Sequence, residues 1–304
     1  MRGASALLLV LMIVAACSES VPASRIPALV KRTPDPAAAA RGAYLAAAAG
    51  CAGCHTDKAT GGARFAGGKA IPSRFGTLTS RNITPDPMHG IGAWSDEDFF
   101  AALRTGISPG GETYFPVFPF TSFTLMTDRD ILDIRAYLAT LPAAADEAHR
   151  PPSGVKFPLN LPHFMSLWRA LYFDAGPLKP DPQQSAQWNR GAYLANAVAH
   201  CGECHTPRNW LAAREDDRRF GGGIAYGAGG KRAPNITPDP GDGIGKWRPE
   251  DVVTLLKTGM TPDGDFVAAP MSEVVEGTAK LSDSDRMAIA VYLKSLPPLR
   301  GKGG

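Results

Sequence analysis

Residues 51–55 read CAGCH, and the same arrangement returns at residues 201–205 as CGECH. The similarity extends upstream, because RGAYLAAAAGCAGCHT at 41–56 corresponds to RGAYLANAVAHCGECHT at 190–206 with one residue inserted. It continues downstream through NITPDP (82–87 and 235–240), LRTG and LKTG (103–106 and 256–259), and AYLATLP and VYLKSLP (136–142 and 291–297). A repeat distance of about 150 residues is far too long for a solenoid. The chain therefore contains a duplicated domain.

The spacing of the two cysteines and the histidine predicts covalently attached haem. Two thiols three positions apart can add to the two vinyl groups of one haem, and the histidine that follows can ligate the iron. A redox-active CxxC pair would not need a histidine in both copies. A four-cysteine zinc site would join pairs about 150 residues apart, against roughly 15 to 20 in such sites. We therefore expect two covalently bound haem c groups, attached at Cys51, Cys54, Cys201 and Cys204, with His55 and His205 as iron ligands.

The sequence around these motifs resembles a known family. RGAYL before the haem motif, NITPDPxxGIGxW after it and a closing AYLxxLP helix are similar to class I cytochrome c domains. In particular they resemble the multihaem cytochrome c subunits of membrane-bound bacterial alcohol, gluconate and related dehydrogenases, over residues 41–300. The resemblance implies a dehydrogenase catalytic subunit as electron donor, and a quinone, another cytochrome or an oxidase as acceptor. Members of that family usually carry three haems, whereas this chain has two CxxCH motifs.

Within each copy the sequence predicts helices separated by long loops. PAAAARGAYLAAAAG is rich in alanine and ends at Gly50, Ser95 followed by three acids begins a helix that stops at Gly106, and Thr127 begins the last helix. Strand signals are nearly absent, so we expect an all-α fold of two tandem class I cytochrome c domains joined by a connector. The expected boundaries are domain 1 at 37–145, the connector at 146–188 and domain 2 at 189–300. The apolar stretch FMSLWRALYF (164–173) is either a binding surface or a connector helix packed between the domains, and we expect the packed helix.

The N-terminus, MRGASALLLVLMIVAACS, has the form of a secretory signal. Arg2 is followed by an apolar run from Ala6 to Ala16. The residues before Cys17 resemble a bacterial lipobox, in which this cysteine is acylated; the alternative is an ordinary cleavage site nearby. We expect a lipoprotein-type signal peptide at 1–16, a linker at 17–36, and a lipid-anchored protein on the periplasmic side of a bacterial membrane. No later segment approaches the ~20 apolar residues of a transmembrane helix.

The charge balance argues against a nucleic-acid partner. The chain has 32 Lys and Arg against 29 Asp and Glu, a formal net charge of +3. It also lacks a basic run of the kind that follows a phosphate backbone. We therefore expect no nucleic acid among its partners.

A methionine thioether is the usual sixth iron ligand opposite histidine in class I cytochromes. In the second copy Met271 stands at the position that the family uses, and Met260 is the alternative. In the first copy the comparable family stretch often reads PxMPY, but residues 116–120 read PVFPF, so Phe118 replaces the sulfur. We predict that Met126 closes the first haem while Phe118 forms an apolar wall. The other candidates are Met88, His89 and His149, and a haem without a protein ligand would bind water or a small molecule.

The loops also contain residue types that can contact haem propionates or exclude water. These candidates are Trp94, Trp247, Arg74, Arg81, Lys231 and Arg232. Asn82 and Asn235, which open the two NITPDP stretches, either join them or form turns.

Two functions are compatible with this pattern. The first is a dihaem electron carrier without catalytic residues of its own, acting as a subunit of an oxidoreductase complex. The alternative is a dihaem enzyme, of the peroxidase or thiosulfate-oxidising type, with an open first haem. Phe118 is the only feature that favours this alternative.

Overall fold

Both copies of the repeat contain the same order of helices. The computed structural model describes residues 35–145, 154–161, 163–224 and 231–300. The first copy contains α1 (Pro36–Ala48), α2 (Cys51–Cys54), β1 (Ala70–Ser73), β2 (Gly76–Thr79), α3 (Asp96–Thr105), α4 (Phe120–Phe123) and α5 (Asp128–Leu138). The connector contributes β3 (Gly154–Val155) and α6 (Phe164–Tyr172). The second copy contains α7 (Ala186–Tyr193), a π turn (Leu194–Val198), α8 (Gly202–His205), a 3-10 turn (Asp216–Arg218), β4 (Gly223–Ile224), β5 (Arg232–Ala233), α9 (Pro249–Thr258), α10 (Met271–Thr278) and α11 (Asp283–Ser295).

The helix starts and stops that the sequence predicts are confirmed. The Asp35 side chain accepts a backbone N–H at the start of α1, and Gly50 follows that helix with a φ of 64°. Ser95 and Asp98 form a capping box at the start of α3, and Gly106 ends it with a φ of 69°. These signals lie in the sequence itself, because each acts within one helical turn of the residue that carries it.

The last helix of the first copy is amphipathic, as predicted. The Thr127 side chain accepts the backbone N–H of Asp130 and so caps α5. Ile131, Ile134 and Leu138 are buried along one face of that helix. Their burial holds α5 against the core of the first copy.

The prediction of an all-α fold is wrong in one respect, because each copy also contains a small antiparallel sheet. In the first copy β1 pairs with β2, and β3 of the connector pairs with the free edge of β2. In the second copy β4 pairs with β5. Strands this short cannot show an alternation of apolar and polar residues. In the sequence, Pro72 and Gly76 are moreover typical of a loop. In the structure, Pro72 lies within β1 and Gly76 lies at the turn with a φ of 126°.

Two glycines allow the first and last helices of each copy to cross at close range. α1 packs against α5, and a Cβ on Gly42 would lie 1.8 Å from the carbonyl oxygen of Asp133. α7 packs against α11 in the same way, and a Cβ on Gly191 would lie 1.9 Å from the carbonyl oxygen of Ala288. The glycine of each RGAYL stretch is therefore required by this helix crossing.

The two copies contact each other through the tyrosine of RGAYL. The Tyr44 hydroxyl donates to Asp285 Oδ2 (2.7 Å) and accepts the backbone N–H of Ser282 (3.0 Å) at the start of α11. The Tyr193 hydroxyl binds the start of α5 in the same way, through Asp130 and the N-cap backbone N–H. Each copy therefore helps to cap the last helix of the other.

Between its RGAYL stretch and its CxxCH motif, the second copy has one residue more than the first, and the π turn Leu194–Val198 accommodates this residue. A π turn contains one more residue than an α-helical turn and is the usual way in which a helix accommodates an insertion. Tyr193 and Cys201 can therefore occupy positions equivalent to those of Tyr44 and Cys51. His200, with a φ of 40°, takes the left-handed backbone conformation that Gly50 has in the first copy.

The connector is packed against the rest of the chain along one face of α6. Trp168 is buried and its indole N–H donates to the carbonyl of Leu211 (2.7 Å). Leu167 and Leu171, on the flank of the helix beside Trp168, are exposed. A packed connector helix is therefore confirmed for the face that carries Trp168.

Several predictions concern residues outside the described ranges. These are the signal peptide at 1–16, Cys17 with most of the linker at 17–36, and His149. The boundaries at 37–145, 146–188 and 189–300 stay predictions. Among the residues described, none of the helices combines the length and the apolar character that crossing a membrane requires.

We expect Gly42→Ala and Gly191→Ala each to destabilise the protein by ~1–3 kcal/mol, because the added methyl group forces two packed helices apart. Thermal unfolding followed by circular dichroism measures the effect. Gly110→Ala is the matched control, since a Cβ there would lie 3.7 Å from Ser108 Oγ. An unfolding temperature of Gly42→Ala equal to that of Gly110→Ala would contradict the helix crossing described here.

Candidate functional site

The cysteines of each CxxCH motif lie on a single helical turn. Cys51 and Cys54 begin and end α2, and Cys201 and Cys204 lie at the corresponding places around α8. No disulfide joins any of the four. Burial raises the pKa of the Cys51 and Cys201 thiols to about 12. Each motif therefore places its two cysteines three positions apart on one helical turn, the spacing that attachment to the two vinyl groups of one haem uses.

The histidine of each motif is oriented by a backbone carbonyl. His55 Nδ1 lies 2.6 Å from the carbonyl oxygen of Arg81, and His205 Nδ1 lies 2.7 Å from that of Pro234. Because a carbonyl only accepts hydrogen bonds, Nδ1 carries the proton and Nε2 keeps its lone pair. Burial also lowers the pKa of both imidazoles, which favours the neutral ring. Both histidines are therefore prepared to ligate a metal through Nε2.

The asparagine of NITPDP positions that carbonyl. Asn82 follows Arg81 directly, and its Oδ1 accepts the backbone N–H and the hydroxyl of Thr84 (2.8 and 2.7 Å). Its amide donates to the carbonyl of Ala144, beyond the last helix (2.6 Å). Asn235 makes the equivalent contacts in the second copy. Both asparagines thus form turns, the second of the two roles left open by the sequence.

A cavity of about 830 Å³ lies beside the first attachment turn. It is lined by Cys51, Cys54 and His55 and, on other sides, by apolar side chains that include Leu103 and Leu138. Its volume lies within the roughly 300–1,000 Å³ that cofactor sites occupy. Two thiols, a neutral imidazole and an apolar wall are the residues that a covalently attached haem needs, so the first site fits this group.

The candidates for propionate contacts are divided between several places. Arg81 and Trp94 line the cavity of the first site. Arg74 instead donates to backbone carbonyls of residues 208 and 209 in the second copy. Arg232 in β5 and Lys231 directly before it are exposed, and Trp247 packs against the core.

The predicted sixth ligands lie in two different environments. Met271 is the first residue of α10 and is half-buried against the core. Met126 is fully buried, and its carbonyl accepts a hydrogen bond from Arg104 (2.8 Å). Within the described ranges, the residues lining the first cavity include Phe118 but not Met126. Both methionine assignments stay predictions.

A buried ion cluster was missed by the sequence analysis. Glu203, between the cysteines of the second motif, lies 2.6 Å from Arg214 and also pairs with Arg208. It accepts hydrogen bonds from the hydroxyls of Thr121 (3.0 Å) and Ser122, both on α4 of the first copy. Burial alone would raise the pKa of this carboxyl, but the two guanidinium groups outweigh burial and hold its pKa at about 2. The second attachment turn is thereby tied to the first copy.

A matching contact joins the first attachment turn to the second copy. Lys69 Nζ donates to the carbonyl of Gly53 (2.9 Å), between Cys51 and Cys54, and to Glu273 on α10 (2.6 Å). Unlike the Glu203 cluster, this ion pair is partly exposed. The only signal for Glu203 in the sequence was a charged residue inside a CxxCH motif, at the position where the first copy has Gly53.

The helical fold and the two CxxCH turns define a c-type cytochrome. The protein-family model described as Cytochrome c matches residues 39–142, which are the first copy. A protein of Cereibacter sphaeroides described as "Diheme cytochrome c-type" is 40% identical over 271 residues, which are 86% of this chain and 86% of the relative. The chain belongs to this cytochrome c family.

Two further relatives are subunits of dehydrogenases. The fructose dehydrogenase cytochrome subunit of Gluconobacter japonicus is 41% identical over 87% of this chain and 54% of its own length. A nicotinate dehydrogenase subunit of Pseudomonas putida is 42% identical over 84% of this chain and 21% of its own length. The chain thus spans about half of one of these subunits and about a fifth of the other.

We expect Glu203→Gln to destabilise the protein by about 3–5 kcal/mol, because it leaves two buried guanidinium groups without their carboxylate. Urea unfolding measures the loss. Glu273→Gln is the control, since its partly exposed pair with Lys69 is worth less than ~1 kcal/mol. Equal effects of the two substitutions would show that the Glu203 cluster is not more important than a surface ion pair.

Proposed function

We propose that this protein is a dihaem electron carrier that takes single electrons from a membrane-associated dehydrogenase and passes them to the respiratory chain. The observation that carries the proposal is the presence of two equivalent sites. Each has two cysteines on one turn and a histidine whose Nδ1 is held by a carbonyl. Relatives named as subunits of fructose and nicotinate dehydrogenases support a dehydrogenase as the electron donor.

The residues of the chain hold, orient and shield the cofactor. Haem supplies one-electron oxidation and reduction at its iron. His55 and His205 offer Nε2 as a ligand, and the carbonyl partner of Nδ1 increases the basicity of each ring. Apolar side chains such as Leu103 and Leu138 exclude water from the first cavity. These roles require no acid or base that acts on a substrate.

The two sites are also close neighbours. His200 lines the first cavity and directly precedes Cys201 of the second motif. Its Nε2 lies 3.1 Å from the carbonyl oxygen of Ala49, which precedes the first motif. Burial lowers the pKa of this imidazole. This short bridge between the attachment segments supports electron transfer between two haems of one chain.

The location and the acceptor are part of the same proposal. The signal-like residues 1–16 and the lipobox before Cys17 support a lipid-anchored protein on the periplasmic side of a bacterial membrane. A quinone, another cytochrome or an oxidase would then receive the electrons. The donor would be the catalytic subunit of a dehydrogenase at the same membrane surface.

We expect the mature protein to carry two covalent haems, because both copies contain a complete attachment turn. Intact mass after acid denaturation should exceed that of the polypeptide by two haem masses. Cys204→Ser should leave one firmly attached haem, and Cys54→Ser should leave the other. A colourless protein containing zinc would contradict the proposal.

We expect the haems to be reduced when a dehydrogenase substrate is added to membranes that contain the tagged protein. Nicotinate, fructose, ethanol and gluconate form the first substrate panel, and absorbance of the reduced haem is the measurement. Mass spectrometry of proteins that co-purify after solubilisation then identifies the donor. A chain that carries both haems but remains oxidised with every dehydrogenase that co-purifies would overturn the electron-carrier proposal.

Cys17→Ser tests the lipid anchor by cell fractionation. It should appear in the soluble periplasmic fraction or accumulate unprocessed, because an acyl chain contributes about 0.8 kcal/mol per buried methylene to membrane binding. Wild-type protein found in the soluble fraction would refute the lipid anchor without affecting the electron-transfer proposal.

A further inference from the structure

The wall of the first cavity contains an aromatic ring where a thioether is expected. Phe118 lines this cavity, and its ring contacts those of Tyr114 (5.2 Å between centroids) and Phe123 (5.8 Å). These edge-to-face contacts fix the ring in an aromatic cluster. A thioether ligand for this site would therefore come from another segment.

Within the described ranges, the methionines that line the cavity are Met88 and Met165. Met88 is 84% exposed, in the loop that follows NITPDP. Met165 is half-buried on α6 of the connector. A thioether that excludes water from iron has to be shielded from solvent, and this condition favours Met165.

Apolar residues on two sides hold Met165 at the cavity. It packs against the cluster that contains Phe115 and Leu159, and against the cluster that contains Phe120 and Trp168. Phe118 packs against the second of these clusters as well. Met165 and Phe118 thus share a hydrophobic cluster at the wall of the cavity into which His55 faces.

The segment that carries Met165 is anchored to the first copy at both ends. On one side, Val155 of β3 pairs with β2, and the backbone N–H of Lys156 donates to the carbonyl of Phe75 (2.8 Å). On the other side, the buried Trp168 packs against Phe120, with 6.3 Å between ring centroids. Trp168 is three positions after Met165, so the anchor lies within one helical turn.

We propose that the sulfur of Met165 is the sixth ligand of the first haem, opposite His55, and that the connector thereby completes this site. This inference rests on the proposed function, since it requires a haem at the first site. With haem bound, a soft thioether ligand would raise the reduction potential of the iron and close it to small molecules. The unbranched side chain of Met165 has the flexibility to reach a ligand position from the helix surface.

His89 and His200 also line the cavity. His200 Nε2 lies 3.1 Å from the carbonyl oxygen of Ala49, whereas His89 contacts Asp86 Oδ1 through Nδ1 (3.2 Å) and so remains a competing ligand. A histidine ligand would give no charge-transfer band at the first haem of the wild-type protein, so the ferric spectrum distinguishes His89 from Met165. Met126 is the competing thioether. It is fully buried immediately before α5, and ligation by Met126 would require that the start of this helix be repacked.

The test compares Met165→Leu with Met126→Leu and Met88→Leu in the full-length protein carrying its haems. Leucine conserves volume, so the three variants should fold. Met165→Leu should lose the red charge-transfer band that the first haem contributes in the ferric state. It should also bind one carbon monoxide per chain in the ferrous state, and the reduction potential of one haem should fall. Met126→Leu and Met88→Leu should keep the wild-type spectrum and exclude carbon monoxide.

Intact mass and circular dichroism are measured on every variant. An unchanged band in Met165→Leu, or loss of the band in Met126→Leu or Met88→Leu, overturns the assignment. Carbon monoxide binding by the wild-type protein also overturns it and favours an open first haem. A wild-type protein without covalent haem would instead refute the proposed function. Met165→His supplies a second variant, in which a new imidazole ligand should exclude carbon monoxide without restoring the charge-transfer band.

Discussion

The hydrogen bond from a histidine Nδ1 to the carbonyl before NITPDP is the contact on which both sites depend. It measures 2.6 Å in the first copy and 2.7 Å in the second, and it leaves Nε2 free to bind iron. The carbonyl is placed by Asn82 or Asn235, whose amide is bound to the chain beyond the last helix. That helix is in turn positioned by its crossing with the first helix at Gly42 or Gly191. The orientation of one imidazole thus depends on contacts that extend through a whole copy.

The same residues that build one site also touch the other copy. The RGAYL tyrosines cap each other's last helices, and each attachment turn binds a short helix of the opposite copy. In the second turn, Glu203 binds α4, and α4 follows the loop that contains Phe118. Beside the first turn, Lys69 binds α10, and α10 begins at Met271. Each cysteine turn is therefore in contact with a helix that follows or begins the distal loop of the other site.

The connector has a larger role than its place in the sequence indicates. β3 adds an edge strand to the sheet of the first copy, and α6 contributes Met165 to the cavity wall. A boundary at residue 145 therefore separates the first copy from residues that its sheet and its cavity contain. Leu167 and Leu171 of the same helix are exposed and take no part in this wall.

The sequence by itself determined the attachment chemistry, the duplication, and the ends of the main helices. Thiol spacing, the following histidine, N-caps and left-handed glycines all act within a few residues, so they are visible in a short stretch of sequence. The small strands, the cluster around Glu203 and the position of Met165 were decided only by the tertiary structure. The strands are too short to have a periodic pattern. Glu203 meets Ser122, and Met165 meets the cavity of His55, only after distant segments have packed together. A buried side chain or an ion pair that depends on such packing cannot be predicted from the neighbouring sequence, because each residue by itself looks like any other residue of a loop or helix.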